Sequence, residues 1–374
     1  MSGDHGSRGR PGPSRRPTVL FVDEHGWDCF FQLAGGLKRA GFRTVRVTLT
    51  PHRRAASYLC FDRTVSLGSA DELRGLADHV ADERIVDIQV IEALSVATVD
   101  GLARMPDLTG LPRWRARAAV VDKPFVAERL QAAGLAVPSI LTGPVGGPDA
   151  VVEALGLPVV HKVRTGSGGD GVEVLHTRQE VAEVVDAGRH TDATFFETFV
   201  DGRHLQFGGV TTGPDDAMYL TYETLARKGH MGPASEIRCL EDPQLARVGL
   251  GVADALEIRG MVNVNVIRDA DGTDWVHDVN PRVWGSSMSL RAAGFDFLGA
   301  YVDFLRGTAI RSGPPAGYVG TLVDVFPASF QMPRDGDSRL VTRLRFLSGA
   351  YPFARWIGPR YVLHELGHEL TRNR

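Results

Sequence analysis

Met261-Val-Asn263-Val-Asn265-Val-Ile-Arg268 and Trp275-Val-His277-Asp278-Val-Asn280-Pro-Arg282 flank the stretch Asp269-Ala-Asp271-Gly272-Thr-Asp274. The first run alternates small or apolar positions with polar ones, the period of a strand with one buried face, and the second reads as its partner. An Asp-Gly pair between two such runs is a strong signal for a two-residue hairpin loop. With Asp271-Gly272 as that loop, Asn265 falls opposite Asp278 and Asn263 opposite Asn280. Residues two apart on a strand share a face, so these oxygen-bearing side chains form one cluster. Asparagine and aspartate are poor strand formers, which favours a site over a merely solvated hairpin. Hard oxygen ligands beside phosphate are what Mg²⁺ uses, making Asp278, Asn280 and Asn265 the candidate metal residues. Arg282, just beyond, is placed to neutralise a transferring phosphoryl group by a bidentate contact.

Two patches upstream extend the same chemistry. Pro158-Val-Val-His161-Lys162-Val163 is an apolar run ending in a cation, the pattern of a buried strand delivering Lys162 to its tip. Arg164 to Gly171 then holds four glycines in eight residues, a loop whose backbone N–H groups can close on phosphate oxygens. The lysine precedes the glycines, so this is not a Walker loop. Phe196-Glu197-Thr198-Phe199-Val200-Asp201-Gly202-Arg203-His204 follows as a further strand end.

The three patches, in this order, resemble the nucleotide site of the ATP-grasp superfamily. The stretch from about Pro112 to Gly307 resembles an ATP-grasp domain of the biotin-carboxylase and carbamoyl-phosphate-synthase type, and the whole chain resembles a carboxylate–amine ligase. Val121-Asp-Lys123-Pro, followed by Gly134-Leu-Ala-Val-Pro138, is similar to the family's aspartate–lysine segment. The resemblance implies that Lys123 and Lys162 bind nucleotide, and that Ser167, Gly168 and Gly169 form the phosphate lid. It makes Glu197, Thr198, Phe199 and Val200 the hinge that recognises adenine through its backbone, and His204 the ribose contact. Asp278, Asn280 and Arg282 match the acid-x-Asn-x-Arg motif for Mg²⁺ and phosphoryl oxygens. Arg282 and Lys162 are thus the expected catalytic groups, with ATP and Mg²⁺ or Mn²⁺ as cofactors. The implied reaction phosphorylates a carboxylate and passes the acyl group to an amine, releasing ADP and phosphate. The sequence departs from the family at Asn265, where a carboxylate is usual, and at Asp278, where glutamate is commoner. A non-catalytic ATP-binding protein is therefore the alternative.

The fold class this implies is mixed α/β (α+β ATP-grasp). A tail over 1–17 precedes an N-terminal parallel α/β domain over 18–111. The small lid subdomain is expected over 112–194, the large subdomain over 195–311 and a C-terminal extension over 312–374. In the N-terminal part, Thr18 to Val22 reads as a strand, Asp28 to Ala40 as a helix stopped by Gly41, and Arg43 to Leu49 as a second strand, repeated weakly through Ile85 to Glu92. This β-α-β order predicts a parallel sheet. Ligands sit at the carboxyl ends of such strands, which makes His25, in the turn Asp23 to Trp27, a substrate candidate. Arg227, in the loop to His230, and Arg291 are candidates for an acidic substrate group.

Length and composition agree. The 374 residues with 43% hydrophobic content suffice for two or three domains with buried cores. A net charge of −3 without a basic stripe excludes nucleic acid as the default partner. Cys29, Cys60 and Cys239 are scattered and odd in number, as suits reduced cytoplasmic thiols. Residues 1–17 lack an apolar core, so they read as a tail rather than a signal peptide, and no stretch approaches a membrane span. The expected partners are small carboxylates and amines, with no membrane and with a homodimer left open. His364-Glu365-Leu-Gly-His368 satisfies HExxH, but only six residues follow it, with no third zinc ligand at the usual downstream spacing. A zinc hydrolase is accordingly the weakest alternative.

Overall fold

The computed structural model describes residues 16–23, 28–49, 57–90, 101–102, 122–166, 169, 171–213, 216–227, 234–314, 316–327, 339–359 and 361–363. Its N-terminal unit begins with β1 (Thr18–Asp23), α1 (Asp28–Arg39) and β2 (Arg43–Thr48), then β3 (Arg63–Ser66) and β4 (Ile85–Val90). These four strands form a parallel sheet in the order β3-β2-β1-β4. Gly41 ends α1 with φ +93°, a conformation that costs glycine nothing. The expected strand–helix–strand boundaries thus hold to within a residue or two.

The second sheet is small and antiparallel, formed by β5 (Ile140–Thr142), β6 (Val159–Val163), β7 (Val172–Leu175) and β8 (Thr194–Thr198) in the order β5-β8-β6-β7. Helices α3 (Pro148–Leu155) and α4 (Arg178–Asp186) cover one face and share its apolar core with Phe196. Helix α2 (Lys123–Ala132) precedes them in the chain but packs elsewhere: Val126 and Leu130 belong to the core of the large sheet. The strands of the small sheet and the helices α3 and α4 span residues 140–198. Within that sheet β8 pairs in register with both β5 and β6.

The large sheet runs β13-β12-β9-β10-β11-β14, comprising β9 (Arg203–Gly213), β10 (Asp216–Arg227), β11 (Ala234–Leu240), β12 (Gly260–Arg268), β13 (Asp274–Asn280) and β14 (Leu322–Asp324). Its pairings are antiparallel. One face packs under α5 (Pro243–Ala255) and α2 through Phe207, Leu245, Val262 and Val264. The other shares a single core with α1, α6 (Phe297–Arg306) and α7 (Arg339–Trp356), in which Phe30, Tyr222, Trp284, Tyr301 and Phe353 are buried. The N-terminal unit, the large sheet and the last helix consequently fold against one another, and the segment from 312 onward completes that core. Among the described residues no helix is long and apolar enough to cross a membrane. Cys29, Cys60 and Cys239 are buried and form no disulfide.

Candidate active site

The hairpin register is the one expected at the site: Asn265 faces Asp278 and Asn263 faces Asn280. The route to it differs. The loop is not two residues but Asp269–Thr273, closed by the Asp269 N–H donating to Thr273 O, and β13 then takes a bulge that skips His277. The longer loop and the extra residue compensate, returning the polar positions to alignment. Asp269 builds the loop by accepting from the N–H groups of Asp271 and Thr273 and from the Trp275 indole.

On the shared face the amides converge on one carboxylate. Asn265 and Asn280 each donate a side-chain N–H to Asp278 Oδ2, at 3.1 and 3.0 Å. Arg282 donates to Asn280 Oδ1 at 2.8 Å and to Val283 O at 2.8 Å. Asn263 serves another purpose, donating to Phe207 O, Gln206 Oε1 and the Tyr222 hydroxyl and so anchoring the cluster to β9 and β10. Tyr222 donates on to Gln206 Oε1 at 2.8 Å. Burial pushes the Tyr222 phenol upward, so it stays neutral. Gln206 and Tyr222 escaped the sequence reading, although Gln206 lies two residues from His204 on the same strand and hence on its face.

Lys162 emerges from β6, 7% exposed, and its ammonium meets Glu197 Oε1 at 2.5 Å. Burial raises the Glu197 carboxyl above its ordinary range, against the pull of Lys162. Lys123 opens α2 and donates to Gly166 O at 2.7 Å, while Asp122 before it pairs with Arg164 at 2.6 Å. The two lysines thus flank the base of the glycine loop, whose other end is tied by the Val163 N–H donating to Gly171 O. Gly166 and Gly169 line the central cavity; Ser167 and Gly168 lie outside the described residues.

Glu197 sits inside the small sheet, paired with Ile140 and Val160, and the Thr198 N–H donates to Ser139 O. Glu197, Phe199 and Val200 all line the cavity. His204 and His277 face each other with ring centroids 6.4 Å apart. Burial, followed by Arg227, depresses His204, whereas burial and then Lys162 hold His277 well below its ordinary value. Both rings prefer the neutral form in the folded chain. The stability this supplies is present above the unfolded histidine value of about 6.5 and is lost as pH falls through the folded values. The melting temperature should therefore drop between pH 7 and 5, and less steeply in His277→Gln. Equal slopes in the two proteins would show that His277 does not titrate with folding.

These groups line one cavity of about 640 Å³, which takes in Lys123, Lys162, His204, Asn265, Asp278 and Arg282. Asn280 and Arg227 line it too. Other expected substrate groups fall elsewhere. Arg291 is turned to Asp296 at 3.0 Å and lies 5.9 Å from the Trp356 ring centroid, in a separate recess under α7. The recess is apart from the central cavity, and the Arg291 guanidinium there has a carboxylate partner in Asp296. Asp23, first residue of the turn that contains His25, is wholly buried against Arg46 at 2.7 Å. His25 lies outside the described residues, but Asp28, Cys29 and Gln32, just after it on α1, line the cavity. The loop after Arg227 and the HExxH segment also lie outside the described residues.

The donor set suits one divalent cation better than two. Asp278 supplies one carboxylate and Asn280 an amide oxygen, the sparse protein contribution that Mg²⁺ accepts when phosphate and water complete its octahedron. Glu197, the next carboxylate, is committed to Lys162. Among the described residues no group of three or more His, Cys, Asp or Glu side chains is arranged to hold a metal.

Residues 120–286 match the sequence profile of the ATP-grasp domain. The match places an ATP-grasp domain in that part of the chain. It is 22% identical over 258 residues to the arginine-specific large chain of carbamoyl phosphate synthase from Geobacillus stearothermophilus, covering 66% of this chain and 24% of that subunit. To D-alanine–D-alanine ligase A of Mesorhizobium japonicum it is 28% identical over 208 residues, 49% of this chain and 58% of the ligase. The chain thus spans between a quarter and three-fifths of these relatives' lengths. Among solved structures it resembles N5-carboxyaminoimidazole synthetase from Staphylococcus aureus complexed with ADP, with TM-score 0.65, 14% identity and 80% of each chain covered. L-amino acid ligase from Bacillus licheniformis superimposes with TM-score 0.56 at 17% identity, over 78% of this chain and 75% of that one. At these identities the likeness establishes the fold.

Proposed function

We propose that this chain is an ATP-dependent carboxylate–amine ligase that forms an amide through an acyl phosphate and releases ADP and phosphate. The observation that carries this reading is the convergence in one cavity of two lysines at the glycine loop, a lone metal-type carboxylate and a buried arginine. Relatives named as ligases of D-alanine and of L-amino acids support it.

In this reading Lys162 and Lys123, with the backbone N–H groups of the loop, bind the β and γ phosphates, and Glu197 keeps the Lys162 ammonium aimed. Phe199 and Val200 receive the adenine edge, and His204 the ribose. Asp278 and Asn280 would hold Mg²⁺, which would offset the negative charge of the phosphates. Arg282, fixed by Asn280 Oδ1 and Val283 O, stabilises the phosphoryl group as it passes to the substrate carboxylate. The amine then attacks the acyl carbon, the new C–N bond forms, and the C–O bond to phosphate breaks. Positioning and charge neutralisation in a water-poor site provide most of the acceleration.

The deciding experiment is ADP release across a panel of carboxylates and amines, with mass-spectrometric detection of the amide. Binding of ADP without turnover under any pair would favour instead a nucleotide-binding protein without ligase activity, which Asn265 in place of a carboxylate supports. The metal count gives a separate test. Electron paramagnetic resonance of added Mn²⁺ should show one ion per ADP-loaded wild-type chain and two per Asn265→Asp chain. Two ions already in the wild type would place a further ligand outside the hairpin.

A further inference from the structure

Two polar side chains are buried in β4 where packing alone would place hydrocarbon. Alternation along Ile85–Val90 puts Asp87 and Gln89 on one face, and Ile88 on the other, inside the apolar core of the parallel sheet. Gln89 is wholly buried and Asp87 is 6% exposed. Both meet α6. The Tyr301 hydroxyl donates to Asp87 Oδ2 and accepts from Gln89 Nε2 at 2.7 Å, and Gln89 Nε2 also reaches Asp87 Oδ2 at 3.3 Å. Burying such groups costs free energy that valine or leucine would not, so the pair needs a reason beyond packing.

The reason lies at the other end of the Gln89 amide. Its Oε1 accepts from the Val283 N–H at 3.0 Å, across 194 residues of chain. The partners fix which end is which, because a flipped amide would set oxygen against the Asp87 carboxylate and N–H against N–H. The Val283 carbonyl in turn accepts from Arg282 Nη1 at 2.8 Å, while Arg282 Nη2 donates to Asn280 Oδ1 at 2.8 Å. Two acceptors therefore aim the guanidinium. Asn280 is the last residue of β13 and is fixed by the hairpin ladder. Val283 lies beyond that ladder, and its N–H is pinned to the carboxyl end of β4, in a different sheet.

We infer that Gln89 is a positioning residue for Arg282, holding Val283 so that the guanidinium faces the transferring phosphoryl group. This role rests on the ligase reading and brings the N-terminal sheet into its chemical step. With no exposed surface, Gln89 acts through the main chain at 283 and not by touching substrate. Loss of its oxygen frees the Val283 peptide to shift, and a displacement of about 1 Å at a reacting group costs roughly a hundredfold in rate.

The test measures Gln89→Met, Gln89→Asn and Tyr301→Phe with whichever carboxylate and amine pair supports ADP release. Gln89→Met should lower kcat about ten- to a hundredfold, with KM for ATP and calorimetric ADP affinity within about twofold. Gln89→Asn withdraws the oxygen by one methylene and should lower kcat in the same direction, which decides the matter if the methionine variant does not fold. Tyr301→Phe breaks the same buried network but leaves Oε1 on Val283, so it should melt lower yet keep kcat within about threefold. A second readout needs no turnover. With Mg²⁺, the wild type should bind the non-hydrolysable β,γ-imido analogue of ATP more tightly than ADP, and Gln89→Met should narrow that gap severalfold. In an Arg282→Lys background the same substitution should change kcat and the affinity ratio by less than about twofold, because the group it aims is gone. If the wild type releases no ADP with any pair, the ligase reading fails and the affinity ratio alone decides for Gln89. An unchanged kcat and ratio in Gln89→Met, an equal loss in the Arg282→Lys background, or a kcat loss as large in Tyr301→Phe would overturn the positioning role and leave the ligase reading standing.

Discussion

Replacing Asp278 by asparagine should lower Mg²⁺-dependent ADP release by about a hundred- to a thousandfold, the range for deleting one preorganised electrostatic group at a reacting centre. The hairpin face contains no second carboxylate to take over, because Asn263, Asn265 and Asn280 are its neighbours. The substitution is isosteric, and the amide network that surrounds it, with Asn263 fixed to Phe207 O at 3.1 Å and to the Tyr222 hydroxyl at 3.2 Å, does not depend on the charge. Folding should accordingly survive, visible as an unchanged melting curve. Metal-free ADP affinity should change little, while the Mg²⁺ concentration needed for turnover rises. A variant with wild-type turnover across a magnesium titration would move the metal away from this hairpin.

The hairpin also shows how much a sequence can disclose. Alternation of Asn263, Asn265, Asp278 and Asn280 specified the shared face and the register, since a slip by one residue would have exposed the valines between them. It did not specify the loop. An Asp-Gly pair favours a two-residue turn, yet Asp269 offers competing hydrogen bonds to the N–H groups of Asp271 and Thr273 that stabilise a longer one, and the bulge at His277 absorbs the difference. Side-chain choices between alternative partners were equally illegible. For Arg291 nothing local shows that Asp296, five residues on, stands within 3.0 Å. The α1 wall of the cavity was missed for a topological reason. Nothing local in Asp28 or Gln32 says that a parallel sheet will bring their helix against Val283, more than 250 residues later. Likewise β8 reads as an isolated strand, and only its pairing with both β5 and β6 shows that Glu197 is enclosed next to Lys162.

That enclosure makes Lys162 the residue with the most divided effect. Lys162→Met should abolish measurable nucleotide-dependent turnover and, separately, cost about 3–5 kcal/mol of stability, the usual result of removing one partner from a buried ion pair. The second effect belongs to Glu197, which is 7% exposed and already driven toward its neutral form by burial. Without the lysine its folded pKa moves further up, away from the unfolded value of about 4.3. A raised folded pKa means stability that is present below the unfolded value and lost as pH rises through the folded one. The single variant should therefore melt higher at pH 5 than at pH 8. Glu197→Gln in the same chain should remove that dependence and restore much of the lost stability, because an amide can be buried without ionising. It should not restore turnover, since no ammonium then reaches the phosphates. The double variant separates the two roles of the pair: recovered folding with silent catalysis is the expected result. Recovered catalysis would mean that Lys162 serves only to neutralise Glu197, and that Lys123 alone binds the phosphates.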